Sequence, residues 1–315
     1  MKIGRFQLRM YHIRREKKMK TGFKNLDNIV KIKGGNLIIV ASRPAMGKTT
    51  LAQNILSNVA IKKHKPTAFF SLEESMEKIV NKLIIRTAMV EADKFKIYDK
   101  YQKGEILKTE FTDEDWDRIS YGINVLKDAP IFINATAPQT INDIKRRTYE
   151  LKEKENIELI IIDYLQLIQY DKSKSLSRDN EVEEILKELK LLARELNVSI
   201  IVTSQLSRKP EERDDKRPVI TDFTNTASSI SNYADKILFL YRDSYYKKEN
   251  KSNITEIIVA KNENGKTGTA KLGWTPEYCM FGNIMNFKEE KNGWSKRKNK
   301  RWLQSNKFKG NRWLL

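Results

Sequence analysis

Residues 36–56 read NLIIVASRPAMGKTTLAQNIL and pass from a strand pattern through a short loop into a helix pattern. The apolar run at 36–42 has the length and composition of a buried strand, and a helix is predicted over 49–62. The GKT at 47–49 lies where the strand has ended and the helix begins. Loop N–H groups and a helix N-terminus in this order hold anionic polyphosphates, so the stretch predicts a phosphate-binding loop.

Each residue type in this loop suits a nucleoside triphosphate. Lys48 can reach the β- and γ-phosphates, the Thr49 hydroxyl can bind Mg²⁺, and Gly47 lets the backbone approach the phosphate closely. Ser42 stands where the general pattern G-x-x-x-x-G-K-[ST] has its first glycine, and a plain helix cap at Thr49 is the alternative interpretation. We expect ATP and Mg²⁺ as cofactors, with the nucleotide held by Ser42, Arg43, Pro44, Ala45, Met46, Gly47, Lys48, Thr49 and Thr50.

The rest of the chain alternates short apolar strands with helical patterns. Strands are predicted at 36–42, 68–71, 130–134, 159–163, 199–204, 236–241 and 255–261, and helices at 49–62, 75–90, 113–128, 141–155 and 180–196. This alternation is typical of a parallel sheet with helices on both faces. Residues 265–268 (GKTG) predict a hairpin turn. We therefore expect an α/β fold with a mostly parallel central sheet and an antiparallel C-terminal edge, and an irregular surface insertion at 92–112.

Polar side chains follow three of these strands, at the edge where a parallel sheet presents its ligands. Phosphoryl transfer to water needs an acid that holds the metal and a group that orients or deprotonates the water. Asp163, in ELIIIDYLQL, is the candidate for the metal, and Glu73, in AFFSLEES, is the candidate for the base, with Glu74 as the alternative. Gln205, in VTSQLSR, can sense the γ-phosphate by hydrogen bonding. The alternatives are an exposed strand end for Asp163, a solvated helix cap for Glu73 and Glu74, and a packed polar strand end for Gln205.

Charge divides the chain into three parts. The 315 residues include 60 Lys and Arg against 41 Asp and Glu, a net charge of +19. Residues 1–20 carry +7 and residues 288–315 carry +8, which leaves +4 for a folded domain at 21–287. Trp294, Trp302 and Trp313 lie among the cations of the tail at 288–315. This mixture suits a nucleic-acid backbone with bases stacked on the rings, and a flexible, solvated tail is the alternative.

The composition also excludes several classes of protein. A single cysteine, Cys279, cannot form an intramolecular disulfide, and two histidines, His12 and His64, are too few for His-ligated metals and unpromising for a His-based triad. The apolar runs are strand-sized and far too short to cross a membrane, and the N-terminus lacks the apolar core of a signal peptide. We expect a soluble, cytoplasmic protein with no membrane partner.

Seven blocks of the chain resemble, in order and spacing, the C-terminal motor domain of DnaB-type replicative DNA helicases. They read ASRPAMGKTT, FFSLEES, IIIDYLQL, TSQLSR, DDKRPVITD, ADKILFLYRD and IIVAKNENGKTGT. TGFKNLD at 21–27 also fits the start of that domain, so the resemblance covers about residues 21–285. The resemblance implies a RecA-like P-loop NTPase fold and a six-subunit ring that moves 5′ to 3′ along one DNA strand with ATP hydrolysis. It also implies a bacterial or phage-infected cell, and a helicase loader or primase as partner.

The resemblance assigns roles to individual residues. It implies Lys48 and Thr49 for phosphate and Mg²⁺, Glu73 as the catalytic glutamate, Asp163 as the Walker B acid and Gln205 as the coupling residue. It further implies a motor without the N-terminal helical domain of the family, because residues 1–20 are too few to form it. Those residues are then the remnant of a linker helix, and the chain a lone motor, a fragment or a phage-like minimal version.

One departure concerns the residues that reach the neighbouring subunit. The family pattern K-x-R-N-G supplies a Lys and an Arg finger to the adjacent ATP, and here it reads KNENG at 261–265. Lys261 is kept as a catalytic candidate, but Glu263 carries the charge opposite to that of the arginine. An acid aimed at a γ-phosphate would repel it, so we expect slow hydrolysis or another cation, such as Lys266.

DNA contacts are expected from cations and N–H groups on two loops, because a translocating protein holds the strand by its backbone. The Ser-rich segment after the Asp163 strand offers Lys172, Lys174 and Arg178, with a solvated loop as the alternative. A second loop, 222–231, has Thr224 near the position of the family's arginine, followed by Asn225. The mixed charges of residues 207–218 predict a surface or subunit-contact loop.

Two other functions remain open at this point. The first is a RecA-like, DNA-stimulated ATPase that does not unwind DNA, such as a recombination or loading factor. The second is a non-catalytic DNA-binding ring subunit. The presence of Lys48, Thr49, Glu73 and Asp163 together argues against the second, because a site without catalysis has no chemical need for all four.

Overall fold

The computed structural model describes residues 18–105, 110–170, 176–247, 249 and 252–284, and within them nine strands form one sheet. Its strands are β1 (Leu37–Ser42), β2 (Thr67–Ser71), β3 (Ile131–Asn134), β5 (Leu159–Asp163), β7 (Ser199–Gln205), β8 (Lys236–Tyr241), β9 (Ile254–Asn262), β10 (Gly268–Thr275) and β11 (Met280–Asn283). A separate pair consists of β4 (Gln139–Thr140) and β6 (Ile168–Gln169). Lys172, Lys174 and the Trp-containing tail lie outside the described residues.

The sheet is parallel in its centre and antiparallel at one edge. Its order is β11-β10-β9-β8-β1-β7-β5-β2-β3. The strands from β8 to β3 run parallel, while β9, β10 and β11 are antiparallel to their neighbours. The predicted α/β fold is thus confirmed, including its antiparallel C-terminal edge and the turn between β9 and β10.

Helices cover both faces of this sheet. They are α1 (Lys24–Ile29), α2 (Lys48–Lys63), α3 (Met76–Ala88), α4 (Ala92–Gln102), α5 (Asp113–Lys127), α6 (Ile141–Glu155), α7 (Arg178–Leu196), α8 (Ala227–Tyr233) and α9 (Asp243–Tyr246). Short 3-10 turns occur at Leu165–Leu167, Lys209–Glu212, Ile220–Thr226 and Pro276–Tyr278. In the part of the chain that the structure describes, no helix is long and apolar enough to cross a membrane.

Strand β1 shows why the central strands are apolar throughout. Leu37 and Ile39 belong to the core under α7, whereas Ile38 and Val40 belong to the core under α2. A strand buried on both faces needs apolar residues at every position, and each such side chain contributes about 1.5–3 kcal/mol. The run LIIVA at 37–41 is therefore apolar at every position because helices pack on both faces of the sheet.

Two sequence predictions about loops are wrong. Residues 92–102 form α4 rather than an irregular insertion. Phe95 in this helix is buried, and its ring lies 5.1 Å from that of Phe111. The polar residues around Phe95 hide this apolar face in the sequence pattern. The predicted loop at 222–231 consists of the end of a 3-10 turn and most of α8. In both segments tertiary contacts, rather than the polar composition, decide the local structure.

Candidate functional site

The loop between β1 and α2 has the backbone of a phosphate cradle. Gly47 precedes α2 with φ 100°, and Ala45 also has a positive φ of 61°. A Cβ atom at position 47 would approach the Phe281 ring to 3.1 Å, so both the backbone angle and the neighbouring ring require glycine there. Lys48 and Thr49 then begin the helix, and their N–H groups lie among the unpaired donors at its N-terminus.

Three side chains fix the shape of this loop. The Ser42 hydroxyl donates to the Arg43 carbonyl at 2.8 Å, which gives the buried Ser42 a structural use where the general pattern has glycine. Arg43 donates to Glu211 at 2.8 Å and to the Leu206 carbonyl at 2.9 Å. Arg242 donates to the Ala45 carbonyl at 3.2 Å. These side-chain hydrogen bonds hold the loop in shape without using its backbone N–H groups.

Asp163 lies fully buried at the end of β5. Its Oδ1 accepts a hydrogen bond from the Thr203 hydroxyl, whereas its Oδ2 is buried and has no partner in the described residues. A buried carboxylate oxygen without a partner is costly unless a cation or donor completes it. Mg²⁺ prefers oxygen ligands, so Asp163 and the Thr49 hydroxyl fit this ion, which would share its remaining positions with phosphate and water.

The predicted metal and base candidates converge on Tyr164. The Lys48 Nζ lies 4.9 Å from the centroid of its ring. Burial, together with the negative charges of Glu73 and Asp163, raises the pKa of Tyr164. The register of β2 against β5 pairs Ser71 with Asp163, which places Glu73 two residues beyond that pair.

Glu73 and Glu74 have different surroundings. Glu74 pairs with Lys82 and accepts a hydrogen bond from the Gln53 side chain at 3.2 Å, so it links α2 to α3. Glu73 is exposed and forms no ion pair or hydrogen bond with any described residue. A general base must be available to a water molecule, which favours Glu73 over Glu74.

Gln205 ends β7 beside the phosphate loop, since it pairs in register with Ser42. Its backbone is tied to a second glutamine. The Gln166 side chain donates to the Ser204 hydroxyl at 2.9 Å and to the Gln205 carbonyl at 3.1 Å, and it accepts from the Gln205 N–H at 3.3 Å. Sequence reasoning noted the block that contains Gln166 but gave this residue no role. Only the three-dimensional register shows that it joins β5 to β7.

A shelf of aromatic and cationic side chains borders the phosphate loop. The Arg242 guanidinium lies 5.6 Å from the centroid of the Trp274 ring, and the rings of Trp274 and Phe281 are 4.6 Å apart. The Arg242 Nε is buried without a partner in the described residues, and burial lowers its pKa. Sequence reasoning missed this shelf, because its members come from β10, β11 and the residue after β8, and no spacing pattern connects them.

Residues 18–283 match the family described as DnaB-like helicase C terminal domain. The chain belongs to this family. It is 40% identical over 266 residues to replicative DNA helicase DnaB of Geobacillus stearothermophilus and, equally, to replicative DNA helicase DnaC of Bacillus subtilis (strain 168). Each alignment covers 84% of this chain and 56% of the relative, so the chain spans about half the length of these curated relatives.

Solved structures agree with the family. One solved ATPase domain superposes with a TM-score of 0.77 at 35% identity, covering 84% of this chain and 91% of that one. A DnaB-like replicative helicase, solved in a study of its interactions with primase, gives 0.78 at 36% identity, covering 84% and 62%. A KaiC-like protein, PH0186 from Pyrococcus horikoshii OT3, gives 0.54 at 14% identity over 86% and 100%, which supports the RecA-like fold alone.

The finger candidates of this DnaB-like domain lie at the other end of the sheet from the phosphate loop. Lys261 pairs in register with Ile237, near the start of β8, and its Nζ donates to the Ser231 and Ala234 carbonyls at 2.6 and 2.7 Å. Because β1 and β8 run parallel, the length of a six-residue strand, roughly 17 Å, separates Lys261 from the loop. Lys261 is therefore not part of the site assembled around Lys48 in the same chain.

Glu263 lies two residues after Lys261 and its side chain is exposed. Its backbone N–H donates to the Asp235 carbonyl at 2.9 Å. The backbone of the residue that replaces the family's arginine is thus hydrogen-bonded within its own chain, at the amino end of the parallel strands. The exposed Lys266 lies in the same turn, between β9 and β10.

The described DNA candidates of this domain are held by internal bonds. Arg178 pairs with Glu181 at 2.6 Å and donates to the Gln166 and Ile168 carbonyls, each at 3.0 Å. The Thr224 hydroxyl donates to the preceding carbonyl at 2.7 Å, and the Asn225 amide donates to Asp179 at 3.0 Å. These contacts order the two segments, and they leave Arg178 with only part of its donors for DNA.

Proposed function

We propose that this domain hydrolyses ATP to move 5′ to 3′ along single-stranded DNA and to unwind the duplex during DNA replication. One observation carries the proposal: the buried Asp163 oxygen that has no partner among the described residues belongs to the residue next to Tyr164, whose ring lies 4.9 Å from the Lys48 Nζ. This combination suits metal-assisted phosphoryl transfer to water. Family membership supports DNA as the track.

The nucleotide phosphates bind to residues 42–50, with Lys48 on the β- and γ-phosphates. Thr49 and Asp163 hold Mg²⁺, which neutralises negative charge on these phosphates when it is bound. The Arg242–Trp274 shelf borders the loop and offers a flat face and an unpartnered N–H donor. We assign the base of the nucleotide to this shelf.

Glu73 orients the attacking water and accepts its proton as the water oxygen bonds to the γ-phosphorus. The bond from that phosphorus to the bridging oxygen breaks, and ADP and phosphate leave. Gln205 donates a hydrogen bond to the γ-phosphate and loses it after hydrolysis. Since Gln166 connects Gln205 to the turn after β5, the loss of that bond reaches the segment of Lys172 and Lys174, which we propose as DNA contacts.

A ring explains the position of Lys261. It lies roughly 17 Å from the phosphate loop of its own chain, so it can serve only the nucleotide of a neighbouring subunit. We therefore propose a homo-oligomer, a hexameric ring around single-stranded DNA, in the cytoplasm of a bacterial or phage-infected cell. One solved relative was studied in its interactions with primase, and we propose primase or a helicase loader as a partner here as well.

The basic ends supply further DNA affinity in this proposal. Residues 1–20 act as a linker, and residues 288–315, with a net charge of +8 and three tryptophans, hold the strand by its backbone and stack on its bases. Deletion of residues 288–315 should lower both the affinity for single-stranded DNA and the steepness of its salt dependence. No change in either would contradict this part.

Glu263 favours a second candidate, a DNA-stimulated ATPase that does not unwind DNA. Without an arginine the trans site lacks a group worth about 10³–10⁵ in rate. If the position faces a neighbouring nucleotide, Glu263→Arg accelerates hydrolysis, while Glu263→Gln, which removes only the repulsion, gives a smaller gain. Equal rates in all three proteins would remove position 263 from the mechanism.

A strand-displacement assay with ATP and Mg²⁺ separates these functions. The helicase proposal expects unwinding by the wild-type chain and none by Lys48→Ala. The matched control is Lys63→Ala, an exposed lysine at the far end of the same helix, and it should unwind normally. DNA-stimulated hydrolysis without unwinding would support the second candidate, and no hydrolysis at all would overturn both.

A further inference from the structure

A cavity of about 880 Å³ opens at the amino ends of the parallel strands, at the opposite edge from the phosphate loop. Its walls are the loop before β1, helix α7, the start of β8 and the turn between β9 and β10. We call it the amino-edge cleft. Seven Lys and Arg side chains and two acids, Asp235 and Glu263, line it.

The cleft concentrates the charge of the folded domain. Residues 21–287 carry a net +4, and the cleft residues within that range also amount to +4, so the rest of the domain is neutral on balance. Lys18 adds one more cation to the lining. Cations gathered in a concave site focus the field and raise the local concentration of anions.

The floor of the cleft holds a buried cation, Lys236, that forms no ion pair with a described residue, although the negative charges of Asp235 and Glu263 act on it from farther away. Lys190 and Asp235 satisfy each other, with the Lys190 Nζ 2.6 Å from both carboxylate oxygens. Lys236 is 4% exposed, its Nζ donates to the Asn262 side chain at 2.9 Å, and burial lowers its pKa. In the part of the chain that the structure describes, no carboxylate lies within 4 Å of it. A buried ammonium in this position gains from an anion in the cleft.

The rim of the cleft carries available cations. Lys31, Arg194 and Lys266 are exposed, and none of them forms an ion pair within the described ranges. They belong to three different segments of the chain and surround the opening of the cleft. In a phosphate-binding loop, by contrast, the hydrogen-bond donors lie close together. Cations spread along a rim suit several phosphates in a row.

The lining contains no aromatic side chain among the described residues, so bases have no ring to stack on there. Asparagine side chains and glycine backbone supply the remaining polar surface. We propose that the amino-edge cleft binds the phosphodiester backbone of a single nucleic-acid strand, with Lys31, Arg194 and Lys266 on the phosphates and Lys236 beneath them. This site is separate from the loops for which sequence reasoning expected DNA contacts, and it needs no ATP. Because it includes Glu263 and Lys266, the strand and the nucleotide of a neighbouring subunit would compete for this turn in the proposed ring.

The test uses the full chain without nucleotide and with a metal chelator, and it follows the fluorescence anisotropy of a labelled oligothymidylate over a salt titration. We expect the double variant Lys31→Gln/Lys266→Gln to bind about tenfold more weakly and the salt slope to fall by about 1.4, or about 0.7 for each lost phosphate contact. The matched control is Lys100→Gln/Lys127→Gln, two exposed lysines outside the cleft, and it should keep both values within about twofold.

Two further measurements define the ligand. An abasic strand of the same length should bind as the oligothymidylate does, with the same loss in the double variant, because the cleft contacts only the backbone. Tripolyphosphate, added to a Lys48→Ala chain whose phosphate loop is disabled, should compete weakly. Three results would each overturn the proposal. The double variant could match the control in strand affinity and salt slope, the abasic strand could fail to bind, or tripolyphosphate could bind in the cleft more tightly than the strand does. A wild-type chain that lacks ATPase activity would not overturn it, since this binding requires no turnover.

Discussion

The two ends of the parallel strands carry opposite kinds of chemistry. At the carboxyl end the buried Asp163 has an oxygen without a hydrogen-bond partner, and Glu73 forms no ion pair or hydrogen bond with a described residue. At the amino end the buried Asp235 is saturated by Lys190 and by the Leu37 N–H at 2.6 Å. Carboxylates that lack hydrogen-bond or ion-pair partners are available to bind a metal or a water molecule. A carboxylate whose oxygens are all bonded within the protein stabilises the fold instead.

The amino-edge cleft and the candidate catalytic groups lie at opposite ends of the parallel strands. The large cavity lies at the amino edge, while the phosphate loop is an open turn that would bind its ligand through N–H groups and a helix terminus. A polyphosphate needs donors that face it rather than a deep pocket. The candidate catalytic groups therefore lie at the carboxyl ends of the parallel strands, and the cluster of positive charges lies at their amino ends.

The largest expected effect belongs to the carboxyl end. Glu73→Gln keeps the size of the side chain but removes the base, so we expect ATP hydrolysis to fall by about 10²–10⁴-fold, with the Kd for ATP and the melting temperature almost unchanged. Single-turnover hydrolysis and nucleotide binding measure the two quantities separately.

Glu74→Gln is the matched control, one residue away. Because Glu74 pairs with Lys82 and binds Gln53, its loss should lower the melting temperature and leave most of the hydrolysis rate. If Glu74→Gln lost the larger share of the rate, the assignment of the base would move to Glu74.

Asp235→Asn tests the amino end, where stability rather than catalysis should suffer. The substitution leaves the buried Lys190 without its anion, which costs about 3–5 kcal/mol of unfolding free energy. Urea titration at pH 7 measures this loss. Asp93→Asn, which breaks the exposed pair with Lys96, should cost less than about 1 kcal/mol. A loss of ATPase activity in folded Asp235→Asn would contradict the separation of the two ends.

The same pair gives a pH dependence. Burial raises the pKa of Asp235, but hydrogen bonds from Lys190 and the Leu37 N–H outweigh burial and hold that pKa below its ordinary value of 3.8. Stability from a lowered carboxyl pKa is complete well above pH 3.8 and is lost as the pH falls through the folded-state pKa. The difference in unfolding free energy between wild type and Asp235→Asn should therefore be constant near neutral pH and shrink in acid.

The sequence predicted the carboxyl end better than the amino end. Gly47, Lys48, Glu73 and Asp163 stand in local strand–loop–helix patterns, and the parallel sheet brings such strand ends together by geometry alone. The amino-edge cleft combines Lys31, Arg194, Lys236 and Lys266 from four distant segments, and no periodicity links them. Helix α4 escaped prediction because its apolar contacts are made with Phe111 and Trp116, which lie on other segments.

Arg242→Ala tests the shelf that sequence reasoning missed. It removes a cation over the Trp274 ring and a hydrogen bond to the phosphate loop, and we expect ATP to bind about tenfold more weakly. Affinity for tripolyphosphate, which has no nucleotide base, should fall less than affinity for ATP. The difference between the two losses measures the contribution of the base. The control is Arg217→Ala, whose guanidinium lies over Tyr241 and pairs with Glu256 and whose side-chain hydrogen bonds go to Asp215 and Glu256, outside residues 42–50. Equal losses for ATP and tripolyphosphate would assign Arg242 to the shape of the loop alone.

The smallest expected effect concerns Gln166, which connects Gln205 to the turn after β5. Gln166→Ala removes three hydrogen bonds at an exposed strand end, so the fold should be kept while Gln205 becomes less well positioned. We expect the stimulation of hydrolysis by single-stranded DNA to fall about threefold, as one bond of about 0.5–1.5 kcal/mol would give, with basal hydrolysis unchanged. Ser204→Ala is the control, because it removes only the bond from Gln166 to the hydroxyl. If basal and stimulated rates fell together in Gln166→Ala, the residue would support catalysis in general, and the carboxyl end would lack a separate route from nucleotide to DNA.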